Sequence, residues 1–290
     1  MYPKLYQKWF QLSLNPTEMV LVEILMKIVG LLSKATLGHV ADNLPLPILA
    51  ASRLKTLQRF LDSPRFCKEK IWWGIWMEIM AGYWSQKEPI VLAIDRTSWR
   101  KYNLLVVSWI IQGRAIPVNW QLLDKLGSSN LDDQQSVIHP ITCLLPGYSF
   151  VLLGDREFCS KHLATWLLEM FQLEEMFRDY KSYGFNLELT QLNGSRFDAW
   201  FLLLTLVYSI LAFIGLSTTE PHQKYLARTT ESKRQYPRRS IVTLGKTALF
   251  AGFDWAFISR LVSRYIKINC HKINYYLRGM NYCNQHLIRV

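Results

Sequence analysis

The chain has 290 residues, half of them hydrophobic, and a formal net charge of +12. That length suits one large domain or two smaller ones, with apolar material enough for a sizeable core. Five cysteines, odd in number and without a CxxC pair, give no sign of a disulfide framework or a zinc site and fit a reducing cytoplasm.

The N-terminus, Met1-Tyr2-Pro3-Lys4-Leu5, lacks the uninterrupted apolar core of a signal peptide. Residues 1–85 read as helical. Asn15-Pro16-Thr17 is a helix start, and Met19–Leu32 follows with Glu23 and Lys27 four apart on its expected outer face. Leu44-Pro45-Leu46-Pro47 breaks the pattern. Ser52–Leu61 is a basic amphipathic helix closed by Pro64, and Lys68–Tyr83 is a Trp-rich one. Short helices with a basic face suit DNA binding, and equally suit a plain helical cap.

From residue 86 the period changes. Strands are expected at 90–94, 104–111 and 115–120, with Gln112-Gly113-Arg114 turning the second into the third. Asp132–Leu144 reads as a helix ended by Pro146-Gly147, and a fourth strand follows at 150–154. Residues 157–184 read as helix and 185–196 as a polar loop. Ala199–Leu216 is 18 residues without a charge, the short edge of a membrane span, but its flanks favour a core helix. Thr218–Arg239 has no apolar period and reads as loop or disorder. The segment 241–290 mixes apolar and basic residues. From 221 onward lie thirteen of the 34 Lys and Arg residues but only two acids, Glu231 and Asp254. Such a field attracts polyanions, nucleic acid first and anionic membrane second, unless it is merely a solvated tail.

Two apolar runs end on an aspartate: Ile90-Val91-Leu92-Ala93-Ile94-Asp95 and Phe150-Val151-Leu152-Leu153-Gly154-Asp155. An acid where a buried strand leaves the core is costly without a partner, and a hard divalent cation is a common one. The crossover helix between them makes the fourth strand parallel to the first, so Asp95 and Asp155 should converge. Three strands, a crossover helix and a fourth strand form the core order of a ribonuclease H-like α/β fold, a mixed sheet with flanking helices. A third carboxylate would complete a site for metal-dependent phosphoryl transfer. Glu174 and Lys181, seven apart in an expected helix, share a face and suit one metal ligand and one phosphate contact. An exposed charged helix gives the same pattern.

The words AIDRT at 93–97, LLGDREF at 152–158 and EEMFRDYKSYGFNLE at 174–188, with Thr190-Gln191 after the last, resemble the DDE transposases of the insertion sequence 4 family. Three blocks in the right order cover roughly residues 40 to 216. The resemblance implies a ribonuclease H-like catalytic core at 86–216, behind a helical N-terminal region at 1–85 and before a basic C-terminal tail at 217–290. It implies Mg²⁺-dependent, or Mn²⁺-dependent, cleavage and strand transfer of transposon ends. Asp95, Asp155 and Glu174 would be the catalytic and metal-binding acids. Lys181, with Arg178, Arg96 and Arg156, would contact or support the DNA; Arg96 equally suits a structural ion pair. DNA ends and target are the implied partners, bound by a homodimer in the cytoplasm, nucleoid-associated and without a membrane.

The chain departs from the family pattern in two places. The tyrosine and arginine of the family's glutamate motif fall on Leu167 and Met170. Asp155 and Glu174 lie only 19 residues apart, where family members carry a long insertion and the fifth strand of the core. An internal deletion near Met170 accounts for both, and the expected protein is a transposase by descent with impaired or lost activity, or a non-catalytic DNA-binding remnant. The six histidines show no HxxxH pair, Ser98 has no GxSxG context, and Gly127-Ser128-Ser129-Asn130 is a turn rather than a phosphate loop. Trp99 or Trp109 could stack a base near the site.

Overall fold

The computed structural model describes residues 3–32, 34–83, 89–99, 102–111, 113–145, 148, 150–155, 157–158, 192, 194–217, 241–251 and 254–286. Helices α1 (Lys4–Ser13), α2 (Pro16–Leu31), α3 (Leu37–Asp42), α4 (Ala50–Leu61) and α5 (Trp72–Tyr83) come first. Strands β1 (Ile90–Trp99), β2 (Tyr102–Ile111) and β3 (Arg114–Leu122), helix α6 (Leu131–Leu144) and strand β4 (Phe150–Gly154) follow. The remaining helices are α7 (Gly194–Ser217), α8 (Ile241–Ala251), α9 (Trp255–Ile268) and α10 (Ile273–His286). The result is a mixed α/β protein with a four-stranded mixed sheet and flanking helices.

Contacts divide the chain into two compact units, each drawn from two separate stretches of sequence. One unit holds Met1–Ser13 with Leu61–Leu202; the other holds Leu14–Phe60 with Leu203–Val290.

The first unit is built on the sheet, in order β3-β2-β1-β4. β1 and β2 pair antiparallel from Leu92↔Trp109 to Trp99↔Tyr102, and β2 and β3 from Leu104↔Leu122 to Ile111↔Arg114. Gly113 takes φ 80° at the second turn, a left-handed conformation that glycine adopts without steric cost. The crossover through α6 then brings β4 alongside β1, parallel, from Ile90↔Phe150 to Ile94↔Gly154. An Asn130 capping box starts α6: its side chain accepts from Asp133 N at 2.8 Å, and Asp133 accepts from Asn130 N at 2.8 Å.

Strand β3 is covered along its outer edge. The indole N–H groups of Trp72 and Trp73 donate to the carbonyls of Pro117 and Val118, at 2.8 and 3.2 Å, and Lys68 donates to that of Trp120. This occupies acceptors that an edge strand otherwise offers to another chain. On one face of the sheet Trp120 meets Phe201 of α7 edge-on at 4.8 Å, and Tyr102 stacks on Phe197 at 5.2 Å. On the other face Asn119 donates to Val137 O of α6 at 2.9 Å.

The second unit is helical. α2 starts at an Asn15 capping box, its side chain accepting from Glu18 N at 2.8 Å and Glu18 accepting from Asn15 N at 3.0 Å. Lys246 of α8 donates to Leu32 O at 2.7 Å, satisfying a carbonyl just past the end of α2. α2 packs chiefly on α9.

Four local expectations change. The helix expected from Lys68 begins at Trp72, after a series of turns. Glu23, expected on the outer face of α2, is buried at 7% exposure, because α9 covers that face. Residues 241–251 and 254–286, read as part of a basic tail, form three α-helices and a short 3-10 helix at Cys270–Lys272, with Ile258, Leu261 and Tyr265 of α9 buried at helical spacing. Strand β1 runs four residues past Asp95, because β2 continues to pair with it as a long hairpin. The segments expected as helix at 157–184 (from 159 onward) and as loop at 218–239 lie outside the described residues.

Among the described residues, one single helix is long and apolar enough to cross a membrane. This is α7, with a mean hydropathy of 2.3 over its best window. That window is 83% buried inside the protein, as expected of a core helix.

Candidate metal centre

Asp95 lies inside β1, yet at a boundary. The parallel pairing with β4 ends at Ile94↔Gly154, so Asp95 and Asp155 are the next residues of two neighbouring strands. From Leu92 to Ile94 the strand has partners on both sides; from Asp95 onward only β2 pairs with it. Both acids are half-buried. Residues paired across strands project to the same face. Asp95 pairs with Val106, and Val106 with Trp120, which assigns Asp95 to the sheet face carrying Trp120 and α7.

Each carboxylate is oriented by the backbone just after it. Asp95 Oδ1 accepts from Arg96 N at 2.7 Å, and Asp155 Oδ1 accepts from Glu157 N at 2.8 Å.

The adjacent residues build a polar network. Arg96 Nε donates to both oxygens of Glu157, at 2.9 and 2.8 Å, and Arg96 Nη1 donates to Asn103 Oδ1 at 3.0 Å. Glu157 Oε1 also accepts from Ser129 N at 2.6 Å and from Ser129 Oγ at 2.7 Å. Asn103 Nδ2 donates to the carbonyls of Lys125 and Gly127, at 2.8 and 2.9 Å. The loop before α6 is thus tied to β1, β2 and the end of β4. Burial pushes the Glu157 carboxyl up. The Ser129 hydroxyl and amide, and then Arg96, outweigh that and hold it below the usual glutamate range.

Of the residues expected at the site, the structure brings Asp95 and Asp155 to adjacent register positions and engages Arg96 with Glu157. Glu174, Lys181, Arg178 and Arg156 lie outside the described residues. Trp109 is fully buried and has no face to offer a base; the side chain of Trp99 is not described. Glu157 and Asn103 were not singled out by sequence. The word DREF carried Glu157, but nothing local marks it as the partner of an arginine 61 residues away.

Two carboxylates on adjacent strands offer hard oxygen donors. That donor chemistry fits a Mg²⁺- or Mn²⁺-type cation, which takes one or two protein carboxylates and keeps several waters. Among the described residues no group of three or more His, Cys, Asp or Glu gathers into a site, so a third ligand would come from beyond them. A separate recess of about 460 Å³ opens near the C-terminal end of β3, lined by Lys68, Tyr102, Trp120, Gln121, Asp124 and Asp198 among others. No sequence expectation fell on it.

In comparisons with known proteins, the chain matches no family model, no curated protein and no solved structure.

Proposed function

We propose that this protein is a DDE transposase by descent and that Asp95 and Asp155 are two carboxylates of a metal-dependent DNA cleavage and strand-transfer centre. One observation carries the reading: the two acids occupy neighbouring positions where the parallel pairing of β1 and β4 ends. Its context agrees. Two antiparallel hairpins followed by a helical crossover to a parallel fourth strand, in the order 3-2-1-4, are how a ribonuclease H-like sheet begins. The three sequence words of the insertion sequence 4 family fall on β1, on the end of β4 and on the segment that carries Glu174.

In this reading Asp95, Asp155 and Glu174 hold the metal. Lys181, Arg178 and Arg156 would contact the DNA backbone, since guanidinium and ammonium groups complement phosphate. A divalent cation, when bound, neutralises charge on the scissile phosphate and activates water or a DNA 3′-hydroxyl. The protein's own contribution is to orient the aspartate oxygens through the amides of Arg96 and Glu157. The partners are transposon ends and target DNA, held by a homodimer in the nucleoid. The 19-residue separation of Asp155 and Glu174 makes impaired activity part of the proposal.

The test is Mg²⁺-dependent cleavage of the element's own terminal DNA, with Asp95→Ala as control. Cleavage by the native chain alone supports the enzyme. Equal cleavage by both sinks the mechanism. Salt-sensitive DNA binding without cleavage by either leaves the non-catalytic remnant.

A further inference from the structure

We infer that the Arg96–Glu157 ion pair is a clamp that fixes the relative position of the Asp95 and Asp155 carboxylates, which makes Glu157 a positioning residue of the centre. The clamp's importance for metal binding rests on the function proposed above; its mechanical role does not.

The argument starts from strand parity. Side chains alternate along a strand, so Arg96 faces away from the side that Asp95 faces. The pairings agree: Arg96 is opposite Leu105 and Ser98 opposite Asn103, and Arg96 bonds Asn103 at 3.0 Å on that same face. Glu157 and Ser129, at the entrance to α6, complete the cluster there. The clamp therefore lies on the sheet face opposite the one that Asp95 faces, where a substrate approaching Asp95 does not reach.

Its connections are to backbone that carries the acids. Arg96 N donates to Asp95, and Glu157 N donates to Asp155. Joining the Arg96 and Glu157 side chains joins the two segments beyond the last β1–β4 pair, where the pairing between those two strands has ended. With side-chain exposures of 19% and 13%, the pair is largely shielded from water, so its attraction is little screened. Ser129 and Asn103 satisfy further atoms of the two groups, as a buried ion pair requires. Arg96 is thereby assigned to structure rather than to the DNA backbone.

The test compares the full chain with Glu157→Gln, which keeps the shape and removes the charge, and with Arg96→Lys, which keeps the charge and loses the guanidinium geometry. Arg260→Ala, which removes an exposed ion pair with Asp254 in the helical unit, serves as control. Two readouts are taken: metal-free amide hydrogen exchange at Arg96 and Glu157, and Mn²⁺ affinity from water-proton relaxation. In Glu157→Gln both amides exchange about tenfold faster or more, while Val106 and Val107 in β2 stay protected. Mn²⁺ affinity falls about 10- to 100-fold, the usual effect of losing a partner behind metal ligands. Arg96→Lys falls between, and Arg260→Ala stays near the native chain. Unchanged exchange in Glu157→Gln overturns the clamp. Faster exchange with unchanged Mn²⁺ affinity overturns the positioning role. Faster exchange in a chain that never binds Mn²⁺ upholds the clamp and removes the metal reading instead.

Discussion

A double-mutant cycle on Arg96 and Glu157 gives the clamp a magnitude. The pair lies between two regimes: exposed ion pairs contribute about 0–1 kcal/mol, whereas removing one partner of a fully buried pair costs about 3–5 kcal/mol. Exposures of 19% and 13% place it near the buried end. Glu157→Gln leaves a mostly buried guanidinium whose partners among the described residues are Asn103 and a neutral amide, so the expected loss is about 2–3 kcal/mol. Arg96→Met leaves a carboxylate still held by the Ser129 amide and hydroxyl, so its loss is about 1–2 kcal/mol. The double variant has no uncompensated charge, and the coupling energy is about 1.5 kcal/mol. Urea unfolding followed by tryptophan fluorescence measures it, since Trp72, Trp76, Trp109, Trp120 and Trp200 all lie in the unit that holds the sheet. The pH dependence sharpens the test. Glu157 has a folded-state pKa below its ordinary value of about 4.3. Its contribution is therefore full above about pH 4.3 and is lost as pH falls through the lower folded value. A coupling below about 0.5 kcal/mol at pH 7, or one that does not shrink in acid, would refute the reasoning.

Three further outcomes follow from other parts of the molecule. In the helical unit, burial raises the Glu23 carboxyl above its ordinary value, with Arg264 opposing. Stability is then greatest below about pH 4.3 and declines as pH rises through the folded value, so Glu23→Gln should melt higher than the native chain at pH 7 and converge with it in acid. A lower melting point at pH 7 would show that the Arg264 attraction exceeds the burial cost. A methyl group at Gly245 of α8 would collide with the carbonyl oxygen of Leu211 in α7, so Gly245→Ala should cost about 1–3 kcal/mol in thermal unfolding, against the usual gain of about 1 kcal/mol for Ala over Gly in a helix. Replacing Lys233, Arg234, Arg238 and Arg239 by Ala should flatten the salt dependence of DNA binding by up to about 0.9 in log–log slope per lost phosphate contact. An unchanged slope would mean that this basic stretch does not touch the DNA.

The sheet was legible because its cues are local. The apolar runs at 90–94 and 150–153, Gly113 between two β-branched stretches and the turn before α6 each mark an element with few neighbours involved. Parallel pairing of β1 and β4 then followed from the crossover alone. The extent of β1 was not legible. Asp95-Arg96-Thr97-Ser98 has the polarity of a strand end, and only pairing with Asn103–Val106 keeps it extended. Glu157 was hidden for a similar reason, since its partners Arg96 and Ser129 are distant in sequence and close only once the crossover has formed. The helices of 241–286 were obscured by their basic residues, although Ile258, Leu261 and Tyr265 carry a helical period and Asp254 caps the start of α9, accepting from Ala256 N at 2.8 Å. The two apolar runs marked one acid in β1 and one just past β4; they carried no information about how those acids are held.

The most direct measurement is a Mn²⁺ titration of the native chain, Asp95→Asn and Asp155→Asn, followed by water-proton relaxation. Asparagine keeps the volume and an acceptor for the Arg96 and Glu157 amides while removing the charge that a hard cation needs. The native chain should bind Mn²⁺ competitively with Mg²⁺, and each single substitution should abolish binding while the thermal melt stays close to native. Mn²⁺ binding of native strength in both variants would contradict the assignment of Asp95 and Asp155 as a shared metal centre.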